Sequence, residues 1–210
     1  MLVNVEILSK MLLCVAGLWQ NNTNLLSDID SRFGDGDHGV TIAKIARAIE
    51  TNVQERDGKS ARELICSIGE SILGISGGSA GPLYGIMIGG LAEPLGDESD
   101  IDSTMLKKML MGSYDEMTMI TKARVGDKTM MDALIPAVQA AQTASDSVSE
   151  VLRAAAKAAS EGADSTKDIA SKFGRARSYG EQTIGTQDAG AVSTSLFFQG
   201  LYEGLQSSVP

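Results

Sequence analysis

Three aspartates and three glycines share one short stretch of this 210-residue chain: Asp30, then Gly34-Asp35-Gly36-Asp37-His38-Gly39. Folded together without a cation, the carboxylates would repel one another. Their spacing does not fit one helical face, so the stretch reads as a loop that curls its oxygens inward, with glycine wherever φ > 0 is needed. Oxygen-only donors suit Mg²⁺ or Ca²⁺ and argue against zinc or copper. An EF-hand is excluded, because a window starting at Asp28 puts Arg32 at its fifth position and Phe33 where glycine belongs. Three carboxylates are few for a calcium cage, whereas Mg²⁺ shares its shell with substrate phosphates. A magnesium–nucleotide site is the sharper reading. The plainer one is a solvated turn with Asp37 as the N-cap of the next helix.

Three further stretches carry glycine and polar groups without apolar periodicity. Gly77-Gly78-Ser79-Ala80-Gly81-Pro82 leads into a helix, where free N–H groups and the positive end of the helix dipole can face a phosphate. Gly77, Gly81, Gly85 and Gly89 also fall four apart, so close helix packing is the alternative role for that stripe. Gly126-Asp127-Lys128-Thr129-Met130-Met131-Asp132 interrupts a helical pattern, and Gly174 to Gly190 forms a longer glycine-containing segment with Arg175 and Arg177. His38 is the single histidine. It falls in the first turn after the carboxylates, where a structural role or a ribose contact would both suit it.

The elements that must position these stretches read as helices throughout, since apolar residues recur at three- and four-residue spacing and no convincing alternating stretch is present. A first helix is expected from Asn4 to Asn21, with Asn22 to Phe33 leading into the acidic loop. A second runs from His38 towards Asp57-Gly58. The pair Ser60 and Glu63 caps a third from Ala61, and a fourth starts between Ser79 and Gly81, where Pro82 is tolerated. After an acidic connection, Asp97 to Asp102, come a fifth from Ser103 to Lys122 and a sixth from Asp132 to Thr143. Ser147 and Glu150 suggest a second capping box before a seventh helix from Val151 to Phe173, and an eighth covers Ala191 to Leu205. Eight helices with short connections imply an all-α antiparallel bundle or barrel. In such an arrangement the four glycine-bearing stretches all fall at one end.

Length and composition bound the function. The chain reads as a single domain, 1–210, with net charge −9 and no basic stripe, which removes the phosphate attraction that nucleic-acid binding needs. The apolar run Met11 to Trp19 has Glu6 upstream and no cleavage site after it, so it reads as a helix face and not as a signal peptide or a membrane span. Cys14 and Cys66 lack metal-ligand spacing and read as buried small hydrophobes. The cytoplasm is the expected compartment.

The set Asp30…Gly34-Asp35-Gly36-Asp37-His38-Gly39, Gly77 to Gly85, Gly126 to Asp132, Gly174-Arg175-Ala176 and Gln187-Asp188…Gly190-Ala191 resembles, in this order and over nearly the whole chain, the nucleotide-binding L subunit of bacterial dihydroxyacetone kinases. The resemblance implies an eight-helix antiparallel barrel with Mg–ADP or Mg–ATP at one end. It implies two magnesium ions on Asp30, Asp35 and Asp37. It places the nucleotide among His38, Gly39, Thr41, Gly78, Ser79, Ala80, Met130, Arg175, Asp188, Ala189 and Gly190. It further implies a partner subunit that holds the ketose, and leaves freely exchanging ATP or a phosphotransferase-system phosphocarrier open as phosphoryl donor. There are departures: Ser79-Ala80 where the family has Ala-Ser or Ser-Ser, Arg175-Ala-Arg-Ser178 for Arg-Ala-Ser-Tyr, and Ala189 for a proline. These leave dihydroxyacetone or a related ketose such as erythrulose open as substrate. A nucleotide-sensing module that acts by contact is the alternative function. With one histidine, committed to the nucleotide end, the chain alone is expected to phosphorylate no ketose.

Overall fold

The computed structural model describes residues 2–76, 78–96 and 100–208. Gly77 and the 97–99 part of the acidic connection therefore lie outside the described residues. Among those described, nine α-helices follow in order: α1 (Val5–Asn21), α2 (Thr23–Ser31), α3 (His38–Gln54), α4 (Ala61–Leu73), α5 (Ala80–Gly89), α6 (Ser103–Ile120), α7 (Met131–Thr143), α8 (Val148–Ser165) and α9 (Ala189–Gln206). Neighbours α1, α3, α4, α5, α6, α7, α8 and α9 pack each on the next, and α9 returns to α1, closing a ring of eight. The ninth helix, α2, is the addition. It lies in the stretch expected as a lead-in to the acidic loop, packs on α3 and buries only Leu26, too little apolar surface to mark it in the sequence. A second addition is a two-residue antiparallel pairing of β1 (Val3–Asn4) with β2 (Asp100–Ile101), in register Val3 with Ile101.

Local chemistry explains where the helices begin and stop. The Asn4 side chain accepts from the Ile7 N–H at 2.9 Å to start α1, and Ser60 with Glu63 forms the expected reciprocal capping box on α4. The second expected box does not form: Ser147 makes no side-chain cap, and Glu150 pairs with Arg153 instead. Nor does that helix reach Phe173. It stops at Ser165, and after a short 3-10 turn the chain becomes extended at Ile169. Inside α7, Pro136 has no N–H to offer the Asp132 carbonyl one turn earlier. Gly162 of α8 backs onto that same oxygen, where a β-carbon would come within 2.0 Å.

The core fills the ring. Trp19 of α1 meets Tyr84 of α5 edge-on at 5.3 Å and lies 6.0 Å from Phe197 of α9, and all three are buried. Its indole N–H donates to the Ser193 carbonyl at 2.8 Å, so α1 and α9 are joined by a polar bond inside an apolar contact. The glycine stripe on α5 is partly a packing device. A β-carbon on Gly81 would approach the Ile75 carbonyl to 2.8 Å and one on Gly85 the Leu73 side chain to 2.8 Å, while Gly89 has open space.

Candidate functional site

Helix α2 ends just before the acidic loop and delivers Asp30 into it. Oδ2 of Asp30 accepts from the Gly36 N–H at 2.9 Å, and the Gly34 N–H closes onto the Asp30 carbonyl at 2.6 Å. Gly34 is required there, since a β-carbon would stand 2.3 Å from the Asp30 carboxylate. Asp30, Asp35 and Asp37 each offer an oxygen, and the three atoms lie within 4.8 Å of one another. Asp37 stands at the N-cap position of α3, as the plainer reading has it, but makes no side-chain cap there, so its carboxylate is available. Oxygens across an octahedral Mg²⁺ shell stand about 4.2 Å apart. The three carboxylates fit a hard divalent cation, and one of them, Asp35, is also ion-paired with Arg175.

The glycine-bearing stretches do meet. They surround an open cavity of about 480 Å³ lined by Asp30, Asp37 and His38 from the first stretch and by Gly78, Ser79 and Ala80 from the second. Met130 comes from the third, and Arg175, Asp188, Ala189 and Gly190 from the fourth. Ser79 makes no side-chain cap on α5, which leaves the first-turn N–H groups of that helix at the cavity without a capping side chain. Gly39 and Thr41 are buried and are not among the lining residues; a β-carbon on Gly39 would press to 2.0 Å on the Thr23 carbonyl of α2.

Electrostatics differ sharply between the walls. Burial pushes the His38 imidazole below its usual pKa, opposed by the Asp30 charge and a hydrogen bond with the Ala189 main chain. Its Nε2 sits 2.8 Å from Ser193 Oγ, which also meets Tyr84 Oη at 2.7 Å. Tyr84 and Ser193 had no role in the sequence reading: Ser193 lies inside an apolar helical pattern, and only its contacts disclose it. Asp188 caps α9 by accepting from the Ala191 N–H at 2.8 Å, yet burial, with Asp132 and Asp30 nearby, raises its pKa to about 7.

The Gly126 stretch is shaped by two side chains within it. Asp132, fully buried, accepts from the Gly126 N–H at 2.6 Å and the Thr129 N–H at 2.8 Å. Lys128 is 4% exposed and is the one non-glycine with positive φ among the described residues, at +61°. Its Nζ lies within hydrogen-bonding distance of the carbonyls of Thr166 (2.7 Å), Thr183 (2.8 Å), Ile169 (3.2 Å) and Thr186, four acceptors sharing three N–H groups. The lysine stands in the quoted motif, but nothing in its spacing announces this use.

Comparison with known proteins bears on these features together. The chain is 31% identical over 186 residues to the ADP-binding subunit DhaL of PEP-dependent dihydroxyacetone kinase 1 from Listeria innocua, covering 88% of each. It is 33% identical to L-erythrulose kinase of Pectobacterium atrosepticum over 89% of this chain but 32% of that one. The crystal structure of dihydroxyacetone kinase from C. freundii in complex with AMP-PNP and Mg²⁺ superposes with a TM-score of 0.71 at 26% identity, over 96% of this chain and 34% of that one. No helix among the described residues is long and apolar enough to cross a membrane. With a DAK2 domain profile matching residues 32–203, a span that takes in all four cavity-forming stretches apart from Asp30, this chain belongs to the DAK2 domain family.

Proposed function

We propose that this chain is the nucleotide- and magnesium-binding subunit of a cytoplasmic kinase for dihydroxyacetone or a related ketose, acting on a ketose held by a partner. The observation that carries this reading is the meeting, around one cavity, of Asp30 and Asp37 with Asp35 close beside them, the uncapped start of α5 and Arg175. Asp30, Asp35 and Asp37 would hold the magnesium, which when bound supplies positive charge against the terminal phosphates. The amides of Gly78, Ser79 and Ala80 orient phosphate oxygens, and Arg175 offers a guanidinium to the same anion. Met130, Leu83 and Tyr84 give the cavity an apolar side for the base. His38, uncharged through burial and held by Ser193, completes the wall beside the ribose.

A partner surface also fits. Met119, Ile120, Val125, Phe173, Tyr179 and Ile184 are exposed, and each belongs to or flanks a cavity-lining stretch. Apolar side chains gathered at a rim mark an interaction surface. The erythrulose kinase relative supports a ketose acceptor broader than dihydroxyacetone. That the Listeria relative is an ADP-binding subunit of a PEP-dependent kinase favours a reading in which bound ADP is rephosphorylated by a phosphocarrier. Calorimetry with Mg–ADP, then turnover with ketose and a ketose-binding subunit, tests the reading. Binding with turnover supports it; binding without turnover with any ketose-binding subunit would favour the nucleotide-sensing module; no binding would remove both.

A further inference from the structure

The segment between α8 and α9 leaves the barrel at Thr166 and returns at Thr186, carrying Phe173, Gly174, Arg175 and Ala176 to the cavity. Its base is crossed by bonds from Gly185 N–H to the Lys167 carbonyl at 2.7 Å, Ser171 N–H to Thr183 Oγ1 at 2.9 Å, Asp188 N–H to Thr166 Oγ1 at 2.9 Å and Gln187 Nε2 to Asp164 at 3.0 Å, while exposed Lys172 ties the outgoing limb to Gly126 and Asp127. The Lys128 ammonium is the point where both limbs converge. Two of its four carbonyl partners, Thr166 and Ile169, belong to the outgoing limb, and two, Thr183 and Thr186, to the returning one.

Four carbonyl dipoles aimed at one buried point would repel one another without a cation between them. A lysine supplies it. Burial lowers the Lys128 pKa, opposed by the nearby charges of Asp188, Asp132 and Asp168, and its hydrogen bonds all go to main-chain carbonyls, so the loop itself is the ligand. The backbone at Lys128 takes a left-handed conformation that a lysine rarely adopts, and Asp132 holds that turn through the Gly126 and Thr129 amides. This is the cost expected when a side chain has to reach one fixed point.

We propose that Lys128 is a positioning residue of this site: its ammonium acts as a built-in cation that clamps the base of the 170–185 loop and thereby fixes Arg175 at the cavity beside Asp35. The part concerning Arg175 and nucleotide rests on the function proposed above; the clamp itself does not. Arginine would not replace the lysine, because a planar fork cannot meet four carbonyls that converge on one atom. Glycine suits the backbone, since φ of +61° is unstrained for it. A Lys128→Gly protein therefore loses the cation without straining the chain, and leaves a channel that a small alkylammonium ion can enter.

Amide hydrogen exchange on the full chain without ligand reads the clamp directly. In Lys128→Met, exchange should speed up in 170–185 and stay unchanged in α1 and α9. Mg–ADP affinity should fall by about tenfold, the size of one well-placed charged contact. In an Arg175→Gln background the further loss should nearly vanish, because Lys128 acts through that arginine. Adding n-butylammonium should restore slow loop exchange in Lys128→Gly and should do nothing to the parent protein. Unchanged loop exchange in Lys128→Met, or fully additive affinity losses in the double variant, would overturn the proposal. If Lys128→Met does not fold, the alkylammonium test on Lys128→Gly decides, and absence of rescue overturns it. A parent protein that binds no Mg–ADP would defeat the functional reading, and loop exchange would still decide the clamp.

Discussion

Asp35 is exposed and pairs with Arg175, whose side chain is 61% exposed, so the pair adds little to the fold. Its substitution is therefore a clean test of ligation. Asp35→Asn should weaken Mg–ADP binding by more than about tenfold while leaving the melting temperature of the ligand-free protein nearly unchanged; equal affinity by calorimetry would remove Asp35 from the metal site. Asp188 makes the opposite case, a carboxyl whose burial shapes stability. Its folded pKa, raised to about 7, lies above the unfolded value near 4, so between those limits folding takes up a proton. Stability must then decline as pH rises from about 4 to about 7, by at most about 1.4 kcal/mol per pH unit for this one group. Asp188→Asn keeps a capping oxygen on α9 and abolishes the titration. It should leave melting at pH 5 nearly unchanged and raise it at pH 8; parallel melting profiles for the two proteins would contradict this assignment.

Helix spacing exposed the elements whose apolar faces are wide, and it failed where a helix is held by something else. The α1 and α3 stripes, Leu8, Leu12, Val15, Trp19 and Ile42, Ile45, Ile49, Val53, were legible because each lies on a continuous buried face. Helix α2 was not, since its place depends on the fit between its main chain and Gly39. The overlong seventh helix has a similar cause. Alanine-rich spacing carries the pattern past Ser165, but the Thr166 and Ile169 carbonyls are taken up by Lys128, a long-range contact that no local window contains. Two glycine substitutions separate these roles. Gly39→Ala would drive a β-carbon onto the Thr23 carbonyl, displacing α2 with Asp30, and should cost about 1–3 kcal/mol together with magnesium-dependent binding. Gly17→Ala, in α1 with open space around it, should instead gain about 0.5–1 kcal/mol through better helix propensity. Denaturant titrations of both variants check the signs, and equal effects would show that the α2 contact is slack.

For the whole molecule, the reading that the four glycine-bearing stretches share one end came from counting connections, and that reasoning holds because α2 adds a short helix next to the acidic loop without disturbing the ring of eight. What connection counting could not reach is the distribution of surface. The same end carries exposed Phe173, Tyr179 and Ile184 beside Arg175 and Arg177, so apolar side chains stand there together with the arginines and the carboxylates of the acidic loop. A ketose bound there by this chain alone would need a group to capture its carbonyl and another to handle the hydroxyl proton. The single histidine is tied at Nε2 to Ser193, and the carboxylates Asp30, Asp35 and Asp37 are the ones proposed to hold magnesium. Both requirements must then be met by the surface that docks over the mouth. The chain incubated with Mg–ATP and dihydroxyacetone should therefore give no phosphorylated ketose, and adding a ketose-binding subunit should start turnover. Replacing Ile184 and Met119 by aspartate, at exposed positions outside the cavity lining, should weaken that assembly while leaving Mg–ADP affinity intact, because added charge and lost apolar area act on docking and not on the cavity. Turnover by the chain alone, or unaltered assembly in the aspartate variants, would place the acceptor site elsewhere.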